Sequence, residues 1–160
     1  MKKLNNPFTE INGYQCFGCS PDNKTGLQLT FSEVDDMIVS YWEPKAHFQG
    51  WINILHGGIQ ATLLDEIASW VVFVKLKTSG VTSKMDIRLK KAVYTNKGPL
   101  KITAKLNKMM RNIAVIDTFI YNNDGELCAQ AEIHYFTYDV EIAKEKLLYP
   151  GFEKFLPIEE

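Results

Sequence analysis

The sequence predicts an α+β fold in which an antiparallel six-stranded sheet wraps around one long central helix. Three features lead there. One stretch, from Gly57-Gly58 to about Lys75 or Lys77, is apolar on nearly every helical face: Ile59, Ala61, Leu63, Leu64, Ile67, Ala68, Trp70, Val71, Val72, Phe73 and Val74. A helix without a polar face is expected to be covered on all sides. On either side of it the chain alternates apolar and polar residues with a period of two, the mark of strands with one buried face. Asn122-Asn123-Asp124-Gly125, between two such runs, reads as a hairpin turn and makes those neighbours antiparallel.

Residues 1–26 read as an irregular lead-in ending in the turn Pro21-Asp22-Asn23-Lys24-Thr25-Gly26. Leu27, Leu29 and Phe31 then alternate with polar neighbours as a first strand, and Met37 to Trp42 returns as the second. A loop rich in bulky groups, Pro44 to Ile54, leads into the helix. After the helix, Met85, Ile87 and Leu89 alternate with Asp86, Arg88 and Lys90. Leu100, Ile102, Ala104 and Leu106 alternate with Lys101, Thr103, Lys105 and Asn107. Residues 112–121 are apolar on both faces apart from Asp117 and Thr118, which suits a central strand, and Leu127 to Tyr138 forms the last one. A short surface helix over 141–149 stops at Pro150-Gly151. The domain is thus expected over residues 27–140, with a tail at 141–160 that carries the short helix.

With 160 residues, 46% hydrophobic and 23% charged, the chain has the composition of one globular domain with a real core. Disorder and a disulfide-stapled miniprotein are excluded. Eighteen Lys plus Arg against nineteen Asp plus Glu leave a net charge of −1, without the basic excess of a nucleic-acid binder. The three cysteines, Cys16, Cys19 and Cys128, suggest a reduced, cytoplasmic protein. Cys16 and Cys19 form a C-x-x-C, but no second such pair supplies the about four ligands of a closed zinc site. The pair is read as structural, and no metal is expected. Lys2-Lys3 is followed by no apolar signal core. Ile59 to Val74, interrupted by Gln60, Asp65, Glu66 and Ser69, falls short of the about 20 residues of a bilayer span. Neither nucleic acid nor membrane is expected as a partner.

The chemistry gathers on the helix. Asp65 and Glu66 are its only formal charges between Ile59 and Val74, and carboxylates are rarely buried without a partner. His56-Gly57-Gly58 places small residues at the helix start, where free backbone N–H groups meet the positive end of the helix dipole. Such an arrangement can polarise a carbonyl or hold an oxyanion. Gly57 and Asp65 are eight residues apart, about 12 Å along one helix at about 1.5 Å per residue. That is too far for both to act on one carbonyl. Two antiparallel helices across a two-fold axis would bring Gly57 of one chain to Asp65 of the other, so a site using both requires at least a dimer.

The run His47-Phe48-Gln49-Gly50-Trp51-Ile52-Asn53-Ile54-Leu55-His56-Gly57-Gly58-Ile59-Gln60-Ala61-Thr62-Leu63-Leu64-Asp65-Glu66 resembles the signature of hotdog-fold acyl-CoA thioesterases of the phenylacetate-degradation (PaaI-like) type. Thr82 to Val93 with Asn96-Lys97-Gly98, and the opening Cys16-Phe17-Gly18-Cys19-Ser20-Pro21, resemble further parts of that family. The resemblance implies a hotdog fold and hydrolysis of a small-to-medium or aromatic acyl-CoA, with coenzyme A entering as part of the substrate and no other cofactor. It implies that Gly57 donates its N–H to the thioester carbonyl and that Asp65 of the other subunit is nucleophile or general base. Thr82 would hold the attacking water and His56 would support the glycine turn. Many relatives carry an Asn or Gln seven residues before the glycine. Gly50 stands there in this chain, leaving Gln49 and Asn53 as replacements beside Gly58. Arg88, Lys90 and Lys91, with Lys105, Lys108 and Arg111, are the candidate cations for the phosphates of coenzyme A. Trp51, Ile54, Leu63 and Trp70 are the candidate acyl-pocket walls. A homodimer, with pairing into tetramers, is the expected assembly. The alternatives are a non-catalytic acyl-CoA sensor and, through His47-Phe48, a hotdog hydratase or dehydratase.

Overall fold

A computed structural model describes residues 1–157 of the chain. Helix α1 spans Gly57–Lys75. Its first turn is closed by His56, whose Nδ1 accepts the Gly58 N–H at 2.9 Å. Leu63, Leu64, Ile67, Ala68 and Val71 along it are fully buried. By length and composition α1 would pass for a membrane span; here its apolar side chains are packed against the protein's own sheet.

Strands β1 (Lys2–Lys3), β2 (Ser32–Val34), β3 (Met37–Trp42), β4 (Gly80–Leu89), β5 (Leu100–Met110), β6 (Ile113–Tyr121) and β7 (Leu127–Thr137) form that sheet. Among the described residues its order is β1-β2-β3-β5-β6-β7-β4, with every neighbouring pair antiparallel. The sheet therefore has seven strands, not six. The added one, Lys2–Lys3, lies inside the expected irregular lead-in and pairs with Ser32 and Glu33; two residues are too few to show a period. The strand expected over Leu27 to Phe31 begins only at Ser32. Leu27, Leu29 and Phe31 are buried as their alternation implies, but Gln28 has a φ of +54°, which breaks the extended backbone. Instead of extending β2, this segment lies over the helix, with Phe31 stacked on Trp70 at 4.2 Å.

The sheet does not cover α1 on every side. Gly58 is exposed, and Thr62, Asp65, Glu66, Ser69 and Phe73 form a partly accessible stripe at three- and four-residue spacing. The two terminal segments cover the far end of that stripe. Phe8 packs on Phe73 at 5.1 Å, Phe155 on both Phe73 and Trp70 at 5.7 and 5.6 Å, and the Tyr149 hydroxyl donates to the Phe73 carbonyl at 2.8 Å. Helix α2, Val140–Leu147, matches the expected short helix; positions 158–160 of the expected tail lie outside the described residues.

Strand β4 forms one edge of the sheet. Its residues Met85, Ile87 and Leu89 face the helix side, opposite Ile133, Ala131 and Ala129 of β7. Met85 and Leu89 nevertheless remain 38% and 52% exposed. The edge strand runs past the flank of the helix, so an apolar face and an unpaired strand edge are left open together.

Candidate active site

The site is built around Asp65, at the middle of α1. Its Oδ1 accepts the Thr82 hydroxyl at 2.7 Å and the Tyr135 hydroxyl at 3.1 Å. Tyr135 also donates to the Asp65 backbone carbonyl at 3.1 Å. Thr82 and Tyr135 are cross-strand partners in β4 and β7, so one rung of the ladder presents both donors. A β-bulge follows directly, because Ser83 is passed over between the Thr82–Tyr135 and Lys84–His134 pairs. Bulges commonly re-aim side chains beside functional sites. Burial pushes the Tyr135 hydroxyl well above its usual range, reinforced by the Asp65 charge, so it remains a donor. Thr82 was expected to hold the attacking water, and its hydroxyl instead donates to Asp65; Tyr135 was not expected, because a tyrosine in an alternating strand carries no further signal in the sequence.

Two turns toward the helix start lies a groove of about 400 Å³ lined by Gly50, Trp51, Ile54, Gly57, Gln60, Leu89, Lys90 and Lys91. Ile59 and Gln60 direct their N–H groups to the His56 carbonyl, and the Gly58 N–H is taken by the His56 ring. The Gly57 N–H is left, among the described residues, without an acceptor. His56 is thus a cap, as expected, and Gly58 is spoken for. A Cβ on Gly57 would lie 3.1 Å from Leu89, so the missing side chain keeps this backbone open. Lys90 and Lys91 stand at the groove, with Lys91 paired to Glu126 at 2.8 Å. Trp51 projects from it, 80% exposed.

Other expected residues are placed elsewhere. Arg88 is on the outer face of the sheet, opposite Gln130 and beside Asp86, Asp117 and Glu132. Lys105 is tied to Asp36 at 2.6 Å. Gln49 turns back on its own loop, where its Oε1 accepts the Asn53 N–H at 3.0 Å, and Asn53 is exposed with a φ of +62°. Neither replaces the amide absent at Gly50. Gln60 is a better placed amide: it is buried, lines the groove and donates to the Leu55 carbonyl at 3.3 Å, while its Oε1 has no partner. Leu63 and Trp70 are sealed in the core, away from the groove at Gly57. His47 is exposed and lies against Phe48 at 4.1 Å between ring centres.

Beyond Asp65, a larger cavity of about 480 Å³ is walled by Phe8, Ile11, Tyr14, Phe73, Val81 and Leu148, with Thr82, Tyr135 and Glu66 at its edge. Glu66 does not share Asp65's surroundings. Its carboxylate lies against Cys16, and burial pushes it up to about 8, with the neighbouring Cys16 adding to the shift. Hydrogen bonds from Cys19 and from the backbone of the intervening turn bring the Cys16 thiol down to about 5.

Residues 52–129 match the family model described as Thioesterase superfamily. No curated protein matches the chain. Among solved structures, a thioesterase superfamily protein superposes with a TM-score of 0.68 at 22% identity, over 72% of this chain. This chain spans only 57% of that protein's length. A hypothetical thioesterase from Streptococcus pneumoniae, solved with coenzyme A, is 25% identical with a TM-score of 0.64, covering 70% of this chain and 87% of its own. A protein from Streptococcus mutans bound to acetyl CoA is 18% identical with a TM-score of 0.66, covering 82% of this chain and 98% of its own. The antiparallel sheet around one long helix is the hotdog fold of thioesterases.

Proposed function

We propose that this chain belongs to the thioesterase superfamily and hydrolyses a small-to-medium or aromatic acyl-CoA, as a dimer in which each site draws on two subunits. The observation that carries the reading is the Asp65 carboxylate held by the Thr82 and Tyr135 hydroxyls, beside an uncovered edge strand. The match to the thioesterase family and the coenzyme A carried by two similar structures support it.

In this reading the thioester lies in the groove at Gly57. Its carbonyl oxygen accepts the free Gly57 N–H, reinforced by the positive end of the α1 dipole. Asp65 of the partner subunit either attacks the carbonyl carbon or takes a proton from the water that does. The carbon–sulfur bond then breaks and the thiol of coenzyme A leaves with a proton. When water attacks, this yields the free acid directly; when Asp65 attacks, it leaves an acyl–Asp65 anhydride that a water then hydrolyses to the free acid and the restored carboxylate. Thr82 and Tyr135 fix the carboxylate so that one oxygen is directed to the reaction. Lys90 and Lys91 meet phosphates at the groove mouth. Joining the open β4 edges of two subunits covers Met85 and Leu89 and brings Gly57 of one to Asp65 of the other.

The test is thiol release from a panel of acyl-CoAs, from acetyl to lauroyl with phenylacetyl and benzoyl, by wild type and Asp65→Ala. Turnover of at least one substrate, lost in the variant while its assembly state is retained, is the expected result. Full activity in Asp65→Ala refutes the assignment of Asp65. Saturable binding of one acyl-CoA without turnover in the wild type favours a non-catalytic acyl-CoA sensor, the reading that the missing amide at Gly50 supports.

A further inference from the structure

The C-x-x-C turn meets a third group in the folded chain. Cys16 Sγ lies 3.7 Å from Cys19 Sγ and 3.5 and 3.6 Å from the two carboxylate oxygens of Glu66. Ligand atoms of all three residues fall within 4.8 Å of one another. A tetrahedral Zn²⁺ with bonds of about 2.3 Å to sulfur and about 2.0 Å to oxygen sets edges of about 3.8 Å between two sulfurs and about 3.5 Å between sulfur and oxygen. The two edges that meet at Cys16, 3.7 Å to Cys19 and 3.5 Å to Glu66, match these values, and the third, between Cys19 and Glu66, lies within 4.8 Å. A disulfide would need the sulfurs at about 2.05 Å and would leave Glu66 unexplained.

The surroundings are shaped for the same purpose. Gly18, buried between the two cysteines, leaves room for Glu66: a Cβ there would lie 2.4 Å from its carboxylate. Among the described residues no Lys, Arg or His forms an ion pair with Glu66, so the carboxyl group meets the two thiols at the cavity wall with no protein cation beside it. The Tyr14 hydroxyl is 3.0 Å and the Asn6 amide 3.6 Å from Cys19 Sγ. Outer partners of this kind orient metal-bound thiolates and temper their charge.

We propose that Cys16, Cys19 and Glu66 bind one Zn²⁺, with its fourth position open to the cavity that Tyr14, Ser69, Thr82 and Tyr135 also line. Two thiolates and one carboxylate suit a borderline-soft ion over Mg²⁺ or Ca²⁺. Three protein ligands leave one position for water or an anionic oxygen of a ligand in the cavity. The ion pins the lead-in to α1 one residue from Asp65. No step of thioester hydrolysis runs through it, so the proposal stands or falls apart from that reading.

The test is metal content of the full-length chain purified under reducing conditions without chelator, followed by chelation and refilling with Zn²⁺ or Co²⁺. The expected result is one Zn²⁺ per chain, with thiolate-to-cobalt charge-transfer absorption in the Co²⁺ form. Cys16→Ser combined with Cys19→Ser removes both, and Cys128→Ser retains both. Glu66→Gln weakens Zn²⁺ binding by at least the about 10–100-fold typical of losing a supporting residue. Gly18→Ala, which removes no ligand atom, weakens it by displacing Glu66. Wild type without stoichiometric Zn²⁺ and without the cobalt–thiolate band overturns the proposal, whatever the variants do. Unchanged affinity in both Glu66→Gln and Gly18→Ala overturns it too, since the ion would then be held by the thiols alone.

Discussion

Asp65 and Glu66 are neighbours on α1, pointing about 100° apart around its axis, and the fold gives them opposite surroundings. Asp65 receives two hydroxyl donors from one rung of β4 and β7 and sits beside the open edge of the sheet. Glu66 lies under the N-terminal turn against Cys16, with no hydroxyl donor and no cation among the described residues. The pair teaches that a carboxylate's chemistry is set by what distant segments bring to it. β4 and β7 hold one acid with two hydroxyls. The lead-in sets the other against a thiol.

The largest expected effect tests whether Asp65 works across an interface. Met85→Asp puts a charge on the uncovered apolar face of β4. The chain should then sediment as a monomer and lose measurable thioester turnover, whereas a fully active monomer would break the two-subunit account. Next come the donors to Asp65. Thr82→Val and Tyr135→Phe each remove a hydrogen bond to a charged group, worth about 1.5–3 kcal/mol, so kcat should fall roughly 10–100-fold with little change in KM. Stopped-flow thiol release would measure both. Lys90→Ala should raise KM for acyl-CoA several-fold at low salt and leave kcat intact, with the difference shrinking as ionic strength rises. The smallest effect is expected at His56→Ala. Loss of the cap on the Gly58 N–H costs about 1 kcal/mol, lowering Tm by roughly 2–4 °C in a thermal melt.

The parts of the fold that were legible from sequence are those where periodicity runs long enough to fix a face: α1, β5, β6 and β7. Two residues of β1 carry no period. The alternation of Leu27, Leu29 and Phe31 correctly marks burial, yet the positive φ at Gln28 removes them from the ladder. Arg88 is among the candidate phosphate contacts although its own alternation turns it away from the helix. The alternation of Met85, Ile87 and Leu89 with Arg88 already sets Arg88 on the outer face, and the bulge at Ser83 is what lets Thr82 share the helix side with Met85, Ile87 and Leu89. At the candidate site, the motif drew attention to Gly57, Asp65, Thr82 and His56, and the fold brings Thr82 to Asp65 and His56 to the first turn of α1. Tyr135 is apparent only from its register opposite Thr82, and the approach of Cys16 to Glu66 joins residues 50 positions apart with no local signal.

The most direct test of the contrast is to measure kcat/KM for Asp65→Asn and Glu66→Gln side by side on the best acyl-CoA, each variant checked for fold and dimer. Asp65→Asn should lose about 10²–10⁴-fold, the usual contribution of a positioned acid or base, while Glu66→Gln stays within about tenfold of wild type. Equal losses, or a larger loss at Glu66, would contradict the division of roles between the two acids.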